Sequence, residues 1–144
     1  MRLFKKECER KFLVKELPSD FNDYDKEDVH QYYPIVSKYF CVRVRKYSET
    51  RKYLDIKFGS GKIKFKIGLR INFFQTNKKC LVKTRHKKRF NNLLIVIDIF
   101  ESELRLVEIE SSDCSIIDNY KLPEWFGEEV TNDKKYRNRY LIKK

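Results

Sequence analysis

Hydrophobic and polar residues alternate with a period of two along most of the chain. Phe40, Val42 and Val44 interleave with Cys41, Arg43 and Arg45, and Leu54, Ile56 and Phe58 with Tyr53, Asp55 and Lys57. Ile63, Phe65 and Ile67 interleave with Lys62, Lys64 and Lys66. Near the start, Glu7, Glu9 and Lys11 alternate with Cys8 and Arg10, and Phe12 and Val14 follow on the second set. Val82 and Thr84 alternate with Lys83 and Arg85, and Val107 and Ile109 with Glu108 and Glu110. Between them, Leu93–Phe100 is almost continuously apolar, broken only by Asp98. A period of two sends alternate side chains to opposite faces of a strand. The pattern predicts a mainly β, largely antiparallel protein. Helical patterns are few: residues 19–31 are acidic and read as a short helix or loop, and 71–81, 115–126 and 133–141 read as short helices. With no internal repeat, low-complexity segment or linker, residues 1–144 read as one domain.

Composition narrows the partners. Lys and Arg number 33 against 21 Asp and Glu, a formal net charge of +12, which predicts a polyanionic partner. Nucleic acid, polyphosphate, nucleotide and an anionic membrane all remain open on charge alone. The longest aliphatic run, Leu93 to Ile97, is too short to span a bilayer. Lys5, Lys6 and Glu7 stand where a secretory signal would be apolar. Cys8, Cys41, Cys80 and Cys114 are scattered without a CxxC pair, and two histidines, His30 and His86, offer no zinc spacing. A reduced, cytoplasmic protein with both histidines on the surface is the economical reading.

The polar strand faces are segregated by sign. One group carries cations (Arg43, Arg45, Lys57, Lys64, Lys66, Lys83, Arg85), and another carries carboxylates (Glu7, Glu9, Asp98, Glu108, Glu110). Like charges two residues apart on one face repel unless an opposite charge intervenes. A barrel with these faces inward would line one wet cavity with both signs, suited to a phosphate chain and its divalent metals. An open sheet with a solvated charged face is the plainer alternative.

The opening Glu7-Cys8-Glu9-Arg10-Lys11 resembles the ExExK signature of the CYTH superfamily, the triphosphate tunnel metalloenzymes. The resemblance continues in order. Val42-Arg43-Val44-Arg45 is similar to the family's paired-arginine strand, and Tyr53-Leu54-Asp55-Ile56-Lys57 to its lysine strand. Lys83-Thr84-Arg85, Asp98-Ile99-Phe100 and Val107-Glu108-Ile109-Glu110 resemble strands of the small bacterial members. Leu122 to Gly127, Glu129 to Thr131 and Tyr136 to Leu141 resemble the closing segment.

The resemblance implies an eight-stranded antiparallel β-barrel tunnel with a few short helices outside. Its lumen is expected to bind inorganic tripolyphosphate or a nucleoside triphosphate with Mg2+ or Mn2+ and to hydrolyse it. Glu7, Glu9, Asp98, Glu108 and Glu110 are the expected metal ligands, since carboxylates suit hard cations. Of these, Glu9, Asp98, Glu108 and Glu110 are also the expected catalytic residues. Lys11, Arg43, Arg45, Lys57, Lys64, Lys66, Lys83 and Arg85 are expected on the phosphates, Arg as bidentate forks and Lys as point charges. Asp55 reads as a pairing partner, and His86 falls on the face away from the lumen.

One strand departs from the family. Where many members carry Glu-x-Glu, this chain has Lys64-Phe65-Lys66. Two lumen carboxylates have become cations, and three readings follow: an active enzyme using the remaining carboxylates, a tunnel that binds polyphosphate, nucleotide or a triphosphorylated RNA end without turnover, or lysines that point outward. Retention of Glu7, Glu9, Glu108 and Glu110 favours activity, because clustered carboxylates without a metal repel. Tyr39, Phe40, Tyr47 and Tyr53 with Lys87, Lys88 and Arg89 offer an alternative RNA-binding surface. Class IV-type adenylyl cyclase chemistry ranks lower, for no residue specifies a base pocket. Oligomeric state is open, a homodimer being one option.

Overall fold

The structure, a computed structural model, describes residues 2–76 and 79–142. It contains β1 (Arg2–Val14), β2 (Asp25–Val36), β3 (Phe40–Lys46), β4 (Lys52–Ser60), β5 (Ile63–Ile71), β6 (Leu81–Phe90), β7 (Leu93–Phe100), β8 (Arg105–Ser111) and β9 (Phe126–Glu129). Two short helices, α1 (Cys114–Asp118) and α2 (Asn138–Leu141), and 3-10 turns at Phe21–Asp23 and Lys134–Tyr136 lie between and after the strands. Neighbouring strands run β5-β4-β3-β2-β6-β7-β8-β1, and β1 pairs back onto β5, so eight strands close a ring. Every pairing is antiparallel.

Strand β1 is the closing piece. Its first half pairs with β5 from Arg2↔Leu69 to Cys8↔Ile63, and its second half pairs with β8 from Cys8↔Ser111 to Leu13↔Leu106. Beyond the end of β5, β9 takes up β1 at Phe12 and Val14. The tight β4–β5 turn needs Gly59, whose φ is +91° and whose absent Cβ would lie 2.8 Å from the Ile63 carbonyl oxygen.

The main apolar core lies outside the ring. Outward positions of β1 (Cys8, Phe12), β7 (Leu93, Ile95, Ile97) and β8 (Val107, Ile109) bury against Tyr24, Ile117 and Phe126. The other parity of the same strands faces inward and is charged along most of its length. At one end of the ring those inward columns turn apolar. Leu81, Phe100 and Leu106 pack there with Val130, Leu13, Tyr136 and Leu141 to form a partial floor.

Several expectations need correction. Residues 25–31, read as helix or loop, belong to strand β2. Its Glu27 is neutralised across strands, lying 2.8 Å from Lys87 Nζ and 3.4 Å from Arg51 Nη1. Among the described residues of 71–81 no helix forms, and residues 77 and 78 lie outside the described residues. The expected helix over 115–126 shrinks to α1, because Pro123 and β9 follow closely. The scattered cysteines also meet in part. Cys8 and Cys114 are joined as a disulfide across 106 residues of sequence, with Cα atoms 5.3 Å apart. His86 does face away from the lumen, but it is buried rather than on the surface, its ring centroid 4.4 Å from that of Phe21.

Candidate active site in the tunnel

Alternation within each strand places the charged columns inside the ring. Among the described residues its lumen holds a cavity of about 130 Å³ at the partly floored end and one of about 990 Å³ at the other. They meet at Glu7, Arg45, Lys66, Arg85 and Glu110, which line both. The wide end is rimmed by cations, among them Lys5, Lys6, Arg51, Arg70, Lys87 and Arg89.

Three of the expected metal ligands converge. Carboxylate oxygens of Glu9, Glu108 and Glu110 lie within 4.8 Å of one another. The β1–β8 register enforces this, since Glu9 stands directly opposite Glu110 and Lys11 opposite Glu108. Facing carboxylates repel without a cation between them. Burial, then Glu108 and Glu9, push the Glu110 carboxyl up to about 8. Burial also works to raise Glu9, but Lys64 and Lys57 outweigh it and hold that carboxyl well below the usual range. Lys11 Nζ sits 3.9 Å from Glu108 Oε1 and donates to the Tyr136 carbonyl at 3.1 Å.

Glu7 and Asp98 are placed differently. Glu7 Oε1 is 3.2 Å from Lys66 Nζ. Asp98 takes Lys83 Nζ at 2.9 Å, Arg85 Nε at 2.8 Å and Arg85 Nη2 at 2.8 Å. Burial opposes the Asp98 charge, and Arg85 and Lys83 overcome it, holding the carboxyl near about 2. A matching hub stands on the opposite wall. Asp55, 1% exposed, accepts from Arg43 Nε at 3.1 Å and Nη2 at 2.9 Å, and Arg45 Nε lies 2.8 Å away as an ion pair. In both hubs the aspartate is the direct cross-strand neighbour of an arginine: Arg43↔Asp55 and Arg85↔Asp98.

All eight expected phosphate-binding cations sit on inward strand positions, and all except Lys83 line the narrower cavity. Lys83 lies behind it, 2% exposed, and burial together with Arg85 lowers its ammonium to about 7. Burial and Arg43 lower Lys57 to about 7 as well. Lys64 and Lys66 point into the lumen, Lys64 paired with Glu9, so the outward register is set aside. Tyr33, Arg137 and Arg139 also line the narrower cavity and were missed in the sequence. Tyr33 belongs to the overlooked β2, where its alternation with Gln31 was the available signal. The two arginines sit in the closing segment, where the chain shows no period.

No family model matches the chain. It is 29% identical over 94% of its length to an inorganic triphosphatase of Nitrosomonas europaea, of which 95% is covered. It is 28% identical over 96% of its length to an inorganic triphosphatase of Acetivibrio thermocellus, of which 94% is covered. A crystal structure of an inorganic triphosphatase superposes with a TM-score of 0.66 at 28% identity, covering 94% of this chain and 93% of that one. A protein of Pyrococcus horikoshii shares the fold alone, at 17% identity and a TM-score of 0.62 over 76% of this chain and 81% of that one. The closed ring of eight strands, its charged lumen and these full-length likenesses give the chain the fold of the triphosphate tunnel proteins and make it similar to inorganic triphosphatases over nearly its whole length.

Proposed function

We propose that the tunnel hydrolyses a phosphoanhydride bond of a triphosphate, with inorganic tripolyphosphate the first candidate and nucleoside triphosphates the second. One observation carries this reading: a largely buried three-carboxylate cluster shares one lumen with ten lining cations. The two relatives named inorganic triphosphatase support it.

The donor set fits a hard divalent cation, being all oxygen and gathered within 4.8 Å. Glu9, Glu108 and Glu110 would hold Mg2+ or Mn2+, with Glu7 the next carboxylate along the wall. When bound, such an ion supplies Lewis-acid polarisation of a phosphoryl oxygen. Arg45 and Arg85 line both cavities and would grip the phosphate chain where they meet. Lys11, Arg43, Lys57, Lys64 and Lys66 would complete the cradle and neutralise charge as the bond breaks. Asp98 and Asp55 act one step back, fixing guanidiniums whose forks must meet phosphate oxygens in register. Lys83 takes that supporting role too, through Asp98.

The cationic rim of the wide end leaves room for a triphosphorylated RNA end, our secondary substrate proposal. Binding without turnover is the second reading, favoured by the two lysines that pair Glu7 and Glu9. Among the described residues no helix is long and apolar enough to cross a membrane. We place the activity in the cytoplasm, where Cys8 and Cys114 would rest as adjacent thiols.

The test is phosphate release from tripolyphosphate, ATP and GTP with Mg2+, Mn2+ or EDTA, for wild type and Glu108→Gln. Metal-dependent release lost in the variant is expected. Tight triphosphate binding without release would establish the second reading instead.

A further inference from the structure

Lys64 and Lys66 both lean the same way. In the β1–β5 register Lys64 stands opposite Glu7, and Lys66 opposite Lys5. Yet the Lys64 ammonium contacts Glu9 and the Lys66 ammonium contacts Glu7, each one inward position further toward the three-carboxylate cluster. Diagonal reach of this kind is within a lysine's span on adjacent strands. Concentrated negative charge draws both side chains there. Lys64 arrives at the cluster itself, because Glu9 is one of its three members.

We infer that Lys64 is a resident cation of the metal site, displaced when a divalent ion binds and handed to the phosphate chain. This rests on the proposed metal reading. Glu9 holds the Lys64 ammonium on one of the oxygens that a metal would use. A divalent ion held by the same carboxylate repels an ammonium at contact distance, and at tunnel depth that repulsion is poorly screened. The flexible four-carbon stem lets the head leave while the backbone stays paired. It leaves into space that Lys64 already lines, the narrow cavity shared with Lys57 and Arg137. The metal therefore works against an internal competitor when it binds alone. With a triphosphate present, the displaced ammonium gains a new partner, and metal and substrate reinforce each other. Lys66 differs, since its partner Glu7 lies outside the cluster.

The experiment is titration of the metal-free full chain with Mn2+ alone, read by calorimetry and by electron paramagnetic resonance of free Mn2+. Lys64→Gln should tighten Mn2+ binding by about tenfold, a coupling of ordinary size. Lys64→Arg should not tighten it, and Lys66→Gln should change it by less than about threefold. At saturating Mn2+, Lys64→Gln should raise KM for tripolyphosphate more than it lowers kcat. Mn2+ affinity unchanged or weakened in Lys64→Gln overturns the inference, as does an unaltered KM. Failure of wild type and Lys64→Gln alike to bind Mn2+ overturns the metal reading itself, and the inference with it.

Discussion

Asp98→Asn separates a counter-ion from a metal ligand. Asp98 is 2% exposed and makes three charge-assisted hydrogen bonds of 2.8–2.9 Å to Lys83 and Arg85. Asparagine keeps the shape but removes the charge that both cations contact directly, leaving Glu108 as the more distant counter-charge. Breaking a buried pair by removing one partner costs about 3–5 kcal/mol. Lys83 moderates this, for its ammonium already stands at about 7 and sheds its proton once Asp98 is gone. The carboxyl shift from 3.8 to about 2 corresponds to roughly 2 kcal/mol, somewhat below that range. We expect a loss of about 3 kcal/mol at neutral pH and a fall in Tm of about 10 °C. The Asp98 pKa is depressed on folding, so its contribution is complete above about pH 4 and disappears as pH falls through about 2. The gap between wild type and variant should close over that interval. The assay is thermal and urea denaturation, repeated with tripolyphosphate, whose negative charge should raise the Tm of the variant more than that of wild type. A Tm within about 2 °C of wild type together with abolished turnover would refute the reasoning and return Asp98 to the metal.

On the opposite wall, Asp55→Asn should cost about 2 kcal/mol at neutral pH, and wild type should lose that increment between about pH 4 and 2, read from urea midpoints across pH. Equal midpoints at neutral pH would show that Arg43 and Arg45 do not need it. Glu110→Gln relieves the repulsion with Glu9 across the β1–β8 ladder. In EDTA its Tm should equal or exceed that of wild type, while Mn2+ affinity falls by about tenfold or more; a large stability loss would contradict the repulsion. The Cys8–Cys114 link closes a 106-residue loop, so reduction should lower unfolding stability by about 2–4 kcal/mol. Denaturation curves that coincide with and without reductant would refute a structural role for the link.

The lumen was legible because its chemistry is written at alternate positions. Arg43 with Arg45, and Lys83 with Arg85, recur at spacings only a strand turns to one side. The direction of Lys64 and Lys66 followed from the apolar Ile63, Phe65 and Ile67 that alternate with them. Partner choice was not legible. Asp98 reads as one more carboxylate, and only the β6–β7 register, with Arg85 opposite it, makes it a counter-ion. Strand β2 escaped because Asp25, Glu27, Asp28 and Pro34 depress strand propensity. Cross-strand cations such as Lys87 offset Glu27 only once the ring exists. Cys8 and Cys114 lie too far apart in sequence for any spacing rule to join them.

The way β1 closes the ring sets an order of assembly. Strands β3–β4–β5 and β6–β7–β8 are joined by short turns and pair with their sequence neighbours, so they are entropically inexpensive to form. β1 must find β5 and β8, partners as distant as Leu69 for Arg2 and Glu110 for Glu9. Such long-range pairing is slow and comes late. Until then the cationic columns are hydrated, and their mutual repulsion is screened. The carboxylates of Glu7 and Glu9 arrive as the ring shuts, at the moment that dehydrates Lys64 and Lys66. Neutralisation and closure are thus one kinetic event. Substitutions at Glu7 and Glu9 should speed unfolding while leaving the folding rate nearly unchanged, which places them late on the reaction coordinate.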